Sequence, residues 1–374
     1  MKALRIHAGP AARAHIAAHG LRPGDVHVVP GAAGGPKGLI LGPLDRFIFG
    51  NWLAGSGHTV HLVGASIGAW RMATACLDDA VGAFQRLEHD YIHQDYVLEP
   101  GQKRPTARHI SERFGLGLQA FYGGRIGQVL HHPRYRVHIV TSRGRHLLAR
   151  EHRLRTPLGY LGAFMSNTVH RKALGAWLER VVFSAAGPAG GAAGALPFDT
   201  RDFRTRQVAL TEDNFMPALQ ASCSIPFVLQ AVHNIPGAPP GAYWDGGITD
   251  YHLHLDFHAQ QGGAAGGPAG LVLYPHFQKS VVPGWLDKGL KWRHRATPFL
   301  DNMVVLSPDP AWVQALPNAK LPDRTDFPRY GTDLPARVKA WTQATSASVQ
   351  LADEFAAWCA LPADEQAQRV EALQ

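Results

Sequence analysis

The sequence of 374 residues predicts an α/β fold built around a mainly parallel central sheet. Two successive β-rich runs each pass through a turn of small residues into a helical pattern. Such strand–loop–helix units place neighbouring strands in the same direction, with helices on the faces of the sheet. The composition agrees, because 45% hydrophobic and 18% charged residues suit a chain that buries a large core.

The first two units lie in the N-terminal quarter of the chain. A β-branched run at residues 25–30 leads into the glycine-rich residues 31–38 and then into an apolar helical pattern over residues 39–49. A second strand at residues 59–63 leads, after a short turn, into a predicted single helix over residues 67–91. We expect the two strands to be neighbours in the sheet.

Further elements follow from the same patterns. Residues 100–130 are basic and contain glycine, and we interpret them as a helical excursion. Residues 136–141 alternate like a strand, and residues 271–274 form another apolar strand candidate.

We expect one domain over residues 1–374, with its core at about residues 26–280. The glycine- and alanine-rich residues 185–195 and 262–270 have a composition that does not pack, which predicts flexible insertions. The C-terminal tail, residues 335–374, is predicted to be mainly helical.

The net charge of +8, with 21 histidines counted as neutral, favours an anionic partner such as a membrane surface or an acidic substrate. The basic stretches at residues 134–136, 150–155 and 288–295 are scattered, and we interpret them as a solvated basic surface. No helix-turn-helix, zinc-finger or RNP signature is present, so no nucleic-acid partner is expected.

One segment leaves peripheral contact with an anionic membrane open. In residues 284–295, two aromatic residues stand beside three basic ones, which would suit docking at a lipid interface. An ordinary core or surface helix explains the segment equally well. The five residues are Trp285, Lys288, Lys291, Trp292 and Arg293.

Compartment signals point to the cytoplasm. Apolar runs break well before the roughly 20 residues that a membrane span needs, and the first residues lack the apolar region of a signal peptide. Three widely spaced cysteines, Cys76, Cys223 and Cys359, form neither a CxxC pair nor a zinc-ligand pattern. This usage is typical of a reducing environment.

The motif that carries chemistry is Gly64-Ala65-Ser66-Ile67-Gly68, a G-x-S-x-G at the end of the second strand. It predicts a nucleophile elbow, in which small neighbours tolerate the strained turn that exposes the serine. We expect the Ser66 amide to face the position of an oxyanion. With 40 glycines in the chain, this motif arises by chance in roughly one such sequence in seven, so it needs support.

Two further sequence motifs support the assignment of Ser66 as a nucleophile. Upstream, Gly34-Gly35-Pro36-Lys37-Gly38 follows the first strand, where free backbone N–H groups suit an anion. Its lysine is followed by glycine, which excludes a P-loop. Downstream, residues 243–247 read Tyr-Trp-Asp-Gly-Gly, with an acid placed at a tight turn.

In order and context, the motifs GGPKG, GASIG and DGG, the last after an A-S-x-x-x-P-x-x segment at residues 221–228, resemble the patatin-like phospholipase family over about residues 26–250. The resemblance implies a three-layer α/β/α fold and an acyl hydrolase of lipid carboxylic esters, of the phospholipase A or lysophospholipase kind. It implies Ser66 as nucleophile and Asp245 as base of a Ser–Asp dyad, with neither cofactor nor metal. The implied oxyanion loop and the motif glycines are Gly34, Gly35, Lys37, Gly38, Gly64, Gly68, Gly246 and Gly247.

The chain departs from the family pattern at two places. Lys37 stands where the family usually has arginine, which keeps the charge but loses bidentate contact. Thr249 and Asp250 stand where members often carry Asn-Pro. A catalytically weak, lipid-binding or regulatory member therefore remains an alternative, as does acyl transfer to an acceptor other than water.

Histidines after the acid leave two further alternatives. By chain order His252, His254 or His276 could be the base of an α/β-hydrolase triad. His252, His254 and Asp256 would share one face of a strand and form a conceivable metal set. We favour the dyad, because the chain has no HGGG-type loop, and we interpret these histidines as ordinary packed or surface residues. The oligomeric state is not readable from the sequence.

Overall fold

A computed structural model describes residues 1–96, 102, 105–187, 194–257 and 270–373. The strands in these residues belong to one sheet. In chain order they are β1 (Leu4–Ala8), β2 (Val26–Gly31), β3 (Val60–Ala65), β4 (Tyr135–Gly144), β5 (Leu178–Ser184), β6 (Thr205–Ala209), β7 (Val232–His233), β8 (Ala242–Asp245), β9 (Leu271–Pro275), β10 (Met303–Pro308) and β11 (Val370–Ala372).

Helices connect the strands and cover the sheet. The α-helices are α1 (Pro10–His19), α2 (Gly42–Phe47), α3 (Ile67–Thr74), α4 (Ala80–Ile92), α5 (Ala107–Tyr122), α6 (Ile126–Leu130), α7 (Arg155–Val169), α8 (Glu212–Ser222), α9 (Gly247–Asp250), α10 (Pro310–Gln314), α11 (Asp326–Tyr330), α12 (Leu334–Ala347), α13 (Val349–Cys359) and α14 (Ala363–Gln368). Shorter 3-10 turns include Gly35–Leu41, Trp285–Asp287 and Lys291–Arg293.

The strand order is β11-β1-β10-β9-β2-β3-β4-β5-β6, with β8 pairing to β4 and β7 to β8. The central run β10-β9-β2-β3-β4 is parallel throughout. Antiparallel pairs join β1 to β10 and join β4 to β5 and β8. The predicted α/β fold with a mainly parallel sheet is therefore confirmed, and the first two units supply adjacent strands.

The sheet extends beyond the predicted core of residues 26–280. Strands β1, β10 and β11 lie outside that range and form one edge of the same sheet. Most of each predicted flexible insertion lies outside the described residues, namely residues 188–193 of the first and residues 262–269 of the second. The tail is mainly helical as predicted, but it ends in β11, which the sequence did not reveal.

The prediction of a single helix over residues 67–91 was wrong, since α3 and α4 are separate. The chain turns between them, and the Asp79 side chain accepts a hydrogen bond from the Gly82 amide to cap α4. An aspartate stabilises a helix start better than a helix interior, which explains the break. The pattern at residues 39–49 is likewise divided, because α2 begins at Gly42 with Pro43 in its first turn, where a proline is tolerated.

The core lies on both faces of the central strands. Every residue of β5, β9 and β10 is buried, as parallel strands covered by helices require. Among the described helices, none combines the length and the apolar character that a membrane crossing needs.

Candidate active site

Strand β4 brings the predicted nucleophile and the predicted acid together. The parallel strand β3 ends with Ala65 opposite Val140 of β4. The antiparallel strand β8 ends with Asp245 opposite Thr141, the next residue of β4. The C-terminal ends of β3 and β8 therefore lie next to each other along the same edge of β4. Ser66, the residue after β3, lies where the two ends meet.

Ser66 occupies a strained turn. Its φ of 57° and ψ of −130° lie in a region that residues with a side chain seldom adopt. Its Oγ donates a hydrogen bond of 2.8 Å to Oδ2 of Asp245. Only 4% of Ser66 and 5% of Asp245 is exposed. The turn thus holds the hydroxyl against the carboxylate in a site largely closed to water.

The elbow glycines permit close passage of the backbone. A Cβ on Gly68 would lie 1.8 Å from the carbonyl oxygen of Gly31 at the end of β2. A Cβ on Gly64 would lie 2.4 Å from the Cα of Ala69 in α3. Glycine is therefore required at both positions, and the loop after β2 packs directly on the first turn of α3.

The glycines after the acid meet the same constraint. A Cβ on Gly246 would lie 2.1 Å from the carbonyl oxygen of Val140 in β4. A Cβ on Gly247 would lie 2.6 Å from the side chain of Ala33, which precedes the glycine-rich loop. The DGG turn is thus packed between the central strand and that loop.

Asp245 is held at both carboxylate oxygens. Oδ2 accepts the Ser66 hydroxyl, and Oδ1 accepts the Gly247 amide at 2.7 Å. Burial raises the pKa of this carboxyl, while the nearby charge of Arg324 and the two hydrogen bonds act in the opposite direction. The result is an oriented carboxylate with increased affinity for a proton.

The end of α8 links the nucleophile to the acid. Ser222 Oγ accepts the Ser66 amide at 2.9 Å and donates to the Val140 carbonyl at 2.7 Å. The Ser224 carbonyl accepts the Asp245 amide at 2.9 Å. The expectation that the Ser66 amide faces an oxyanion was therefore wrong, because Ser222 occupies it. The sequence marked Ser222 as part of the A-S-x-x-x-P-x-x segment but gave it no role.

The glycine-rich loop lies beside the serine. A Cβ on Gly38 would lie 3.2 Å from the Ile67 side chain, directly after the nucleophile. Gly35 has a φ of +58°, a left-handed conformation that favours glycine. The loop begins the 3-10 turn Gly35–Leu41, and the first amides of a helical turn lack acceptors within it. The amides of Gly34 and Gly35 therefore lie outside the turn's own hydrogen bonding.

Lys37 directs its side chain into a neighbouring cavity. Its Nζ lies 5.3 Å from the centroid of the Phe277 ring, and burial lowers the pKa of its ammonium group. The cavity, of about 440 Å³, lies between this loop and the ends of β9 and β10. Neither Ser66 nor Asp245 lines it, so the lysine side chain points into a cavity that the two residues do not share.

Two cations lie near the site that the sequence did not place there; it gave Lys288 only as a candidate for membrane docking and did not mark Arg324. The Nε of Arg324 lies 3.2 Å from the point that a Cβ on Gly35 would occupy. The Nζ of Lys288 lies 3.9 Å from the centroid of the Tyr251 ring. Burial is the main cause that lowers the pKa of the Lys288 ammonium group to about 7, and the positive charges of Arg324 and Lys37 add to it. The charges of Arg324 and Lys288 both act to lower the pKa of the Asp245 carboxyl.

Buried ion pairs fix the surrounding elements. Arg71 in α3 donates to both carboxylate oxygens of Asp45 in α2, at 2.6 and 2.7 Å. Asp250, at the departure after DGG, accepts two hydrogen bonds from Arg180 in β5, at 2.8 and 2.6 Å. The first pair joins the helices that follow the glycine-rich loop and the serine, and the second anchors α9.

The three histidines are bonded elsewhere. His252 Nδ1 accepts the Val282 amide at 3.0 Å, and His254 bonds to the Val281 carbonyl and to Thr297. His276 bonds to the Gln278 carbonyl. The hydrogen bonds found in the described part of the chain connect none of the three to Ser66 or Asp245.

The expected alternation of His252 and His254 on one strand face was wrong. Leu253 between them has a φ of +48°, which breaks an extended conformation. No group of three or more histidine, cysteine or acidic side chains within the described ranges could hold a metal ion.

Comparison with known proteins agrees with this geometry. The family model described as patatin-like phospholipase matches residues 34–253, more than half of the chain. The matched stretch begins in the glycine-rich loop and includes the serine elbow and the DGG turn. No curated protein matches the chain. The protein belongs to the patatin-like phospholipase family, whose members are typically serine hydrolases of lipid acyl esters.

Proposed function

We propose that this protein hydrolyses carboxylic esters of lipids through a Ser66–Asp245 dyad and a covalent acyl-enzyme. The observation that carries the proposal is the 2.8 Å hydrogen bond from Ser66 Oγ to Asp245 Oδ2 in a buried site. A serine hydroxyl is a weak nucleophile until a base within this distance removes its proton. Asp245 fills that role without an intervening imidazole.

The reaction has two halves. Asp245 accepts the Ser66 proton as Oγ attacks the ester carbonyl, and the resulting oxyanion collapses with loss of the alcohol, which takes that proton. Water then gives a proton to Asp245 and attacks the acyl-enzyme. The carboxylate returns the proton to Oγ as the fatty acid leaves, so acid, base and nucleophile are regenerated.

The glycine-rich loop would stabilise the oxyanion. Pro36 has no N–H, and the amides of Lys37 and Gly38 fall within the bonded part of the 3-10 turn, so we propose the amides of Gly34 and Gly35 as the donors. Fixed amides in a site shielded from water stabilise developing charge without reorganisation. The packing of Gly38 on Ile67 supports this role, because it fixes the loop beside the nucleophile.

Steady-state hydrolysis of a p-nitrophenyl acyl ester tests the dyad. Ser66→Ala and Asp245→Asn should each lower kcat by about a thousandfold or more, with the fold intact by circular dichroism. His252→Gln, His254→Gln and His276→Gln should each retain activity within a few-fold. Complete loss in one folded histidine variant would favour a triad, and retained activity in Ser66→Ala would reject the nucleophile.

The lipid class requires product analysis. We propose phospholipids or lysophospholipids as substrates, in line with the family. A panel of phospholipids, lysophospholipids and short-chain esters, each incubated with the native protein and with Ser66→Ala, identifies the substrate by the Ser66-dependent release of fatty acid. Formation of a new ester of an added acceptor alcohol, in place of free fatty acid, would indicate acyl transfer instead.

A further inference from the structure

Helix α7 turns its more apolar face toward solvent and its less apolar face toward the protein. Its buried positions are mostly small or polar, namely Thr156, Gly159, Tyr160, Ala163 and Asn167. Its large apolar side chains face outward instead, with exposed fractions from 41% to 85%. With Leu154 just before the helix, they form what we call the α7 patch: Leu154, Leu158, Leu161, Phe164, Met165 and Val169. Soluble proteins seldom leave such a surface uncovered unless it binds something.

The patch is one continuous stripe. At 100° per residue, five of its six side chains fall within an arc of about 80° on the helix surface, and Phe164 adjoins that arc. The buried residues occupy the opposite side. The helix is therefore amphipathic, but its less apolar face packs against the protein and its more apolar face is exposed.

The helix is firmly anchored, so its exposure is a fixed feature of the fold. Asn167 Nδ2 donates to the buried carboxylate of Asp287 at 2.7 Å. Arg293 donates to the same carboxylate at 2.8 Å and to the Asn167 carbonyl in the last helical turn at 2.6 Å. Arg293, which the sequence offered for membrane docking, is thus occupied within the protein. It supports α7 instead.

Basic residues border the patch. Arg150, Arg153 and Arg155 precede or begin α7, and Lys172 follows it; all four are exposed. The ion pairs found in the described part of the chain include none of them. Positive charge at a helix N-terminus opposes the helix dipole, so the three arginines do not serve helix stability. Over residues 145–172 the only acid is Glu151, which accepts the Ala231 amide.

Two exposed aromatic residues flank the patch. Phe227 is 60% exposed, and its ring lies 5.9 Å from that of Tyr160 on α7. Trp292 is 63% exposed and directly precedes Arg293. On its inner side, Tyr160 also contacts Trp244, the residue before the catalytic acid, with ring centroids 6.0 Å apart. The patch therefore lies over the strand that carries Asp245.

We propose that the α7 patch docks the protein onto the surface of an anionic phospholipid assembly, with α7 lying in the plane of the interface. An apolar helical face bordered by arginine, lysine and aromatic residues is the pattern of an interfacial helix. The apolar side chains enter the acyl boundary while the basic residues meet lipid phosphates. Docking depends on this surface and not on the chemistry of Ser66.

A second copy of the chain fits this surface less well. A two-fold dimer would place the same patch on both partners. The arginines around one patch would then face the arginines around the other across an apolar contact, where like charges repel. An anionic lipid surface instead complements both features of the patch.

Vesicle flotation tests the proposal, using the native protein and the Ser66→Ala variant in parallel. Vesicles contain phosphatidylcholine alone or mixed in equal parts with phosphatidylglycerol. Both proteins should float with the mixed vesicles, and high salt should weaken that binding. The double variant Leu158→Gln/Leu161→Gln should bind mixed vesicles at least about tenfold more weakly than the native protein, because two leucines no longer enter the apolar layer.

Matched controls separate apolar and charged contributions. Arg153→Gln/Arg155→Gln should weaken binding to mixed vesicles by about tenfold at low salt. Leu116→Gln changes an exposed leucine on α5 and should bind like the native protein. Arg13→Gln removes an exposed charge on α1, at the opposite end of the parallel strands, and should do the same.

Three results would overturn the docking proposal: no flotation with mixed vesicles, unchanged flotation of both double variants, or a dimer that the leucine variant dissociates without any vesicle binding. Light scattering after gel filtration detects the last case. Flotation requires no turnover, so an inactive protein that still floats would refute the esterase proposal alone. If the esterase proposal holds, the leucine variant should retain hydrolysis of a soluble short-chain ester and lose it on vesicles.

Discussion

A carboxylate that bonds directly to a serine hydroxyl must attract the proton and yet be ionised when substrate arrives. At Asp245 two opposing influences set this balance. Burial raises its pKa, whereas the Arg324 charge near Gly35 lowers it. The proposed base therefore depends on a residue from a distant part of the chain, outside the stretch that the family model matches.

Removing Arg324 should change the pH dependence of hydrolysis. Without its charge the pKa of Asp245 rises further, so the acidic limb of kcat/KM should move to higher pH in Arg324→Gln. Activity at acid pH should fall several-fold relative to the alkaline plateau. Arg324→Lys keeps a charge and should preserve most of the native profile. An unshifted limb in Arg324→Gln would show that this guanidinium does not act on the base.

Asp245 also has a cost for stability. Its folded-state pKa is raised above that of the unfolded chain, so protonation favours the folded state. This loss of folding free energy is absent at a pH below the pKa of Asp245 in the unfolded chain, which is about 4. It is complete once the pH exceeds the pKa of Asp245 in the folded protein. Asp245→Asn keeps an acceptor for Gly247 and removes the charge. Its Tm should therefore equal or exceed the native Tm at neutral pH, and a fall of many degrees in thermal melts would contradict this account.

Local motifs made the centre of the site predictable. Ser66 and Asp245 each stand in a short pattern whose glycines are required by backbone contacts within the same turn or the next strand. Ser222, Lys288 and Arg324 reach the site only through the fold. Ser222 and Lys288 lie in segments that the sequence singled out for other reasons, and no pattern marks Arg324. The engagement of the Ser66 amide by Ser222 was unpredictable for the same reason.

At the scale of elements, the contact between the loop after β2 and helix α3 governs the site. Gly68→Ala would place a methyl carbon 1.8 Å from the Gly31 carbonyl oxygen, so β2 and α3 must separate. We expect a loss of several kcal/mol in the free energy of unfolding, comparable to severe overpacking in a core. Urea denaturation measures it.

Gly117→Ala in α5 is the matched control. A Cβ there meets no atom within 4 Å, and alanine favours a helix interior over glycine by about 0.5–1 kcal/mol. Its stability should stay constant or rise. Equal stability of the two variants would show that the elbow tolerates a side chain at Gly68.

Helix α7 marks a limit of sequence patterns at this scale. Its leucines recur with helical spacing, a pattern that ordinarily indicates the face turned toward a core. Periodicity identifies an apolar face without identifying what covers it. Only the packing of Tyr160 and Asn167 toward the protein shows that the leucines lie outside.

At the scale of the whole molecule, the two ends of the chain complete one sheet edge. Strand β11 pairs with β1 in parallel, with Ile6 opposite Val370, and β1 pairs with β10. A three-residue strand such as β11 carries too little pattern to predict, and its pairing depends on residues more than 350 positions away. We propose that the chain is one folding unit in which these ends are integral.

Deleting residues 369–374 tests that unit. Loss of β11 removes its bonds to β1 and the hydrogen bond from the Leu373 amide to the Ala8 carbonyl. We expect the Tm to fall by about 1–3 °C, corresponding to about 1–2 kcal/mol in a domain of this size. Circular dichroism and tryptophan fluorescence should still report one coincident transition. Two separated transitions in the native protein would contradict a single unit.

The most direct test of the dyad is covalent labelling of the native protein with a fluorophosphonate, read by intact mass and peptide mapping. The account predicts one adduct, located on Ser66, and loss of ester hydrolysis in proportion to labelling. Asp245→Asn should label far more slowly, and Ser66→Ala should not label. An adduct on another residue, or hydrolysis that persists after complete labelling of Ser66, would contradict the central claim.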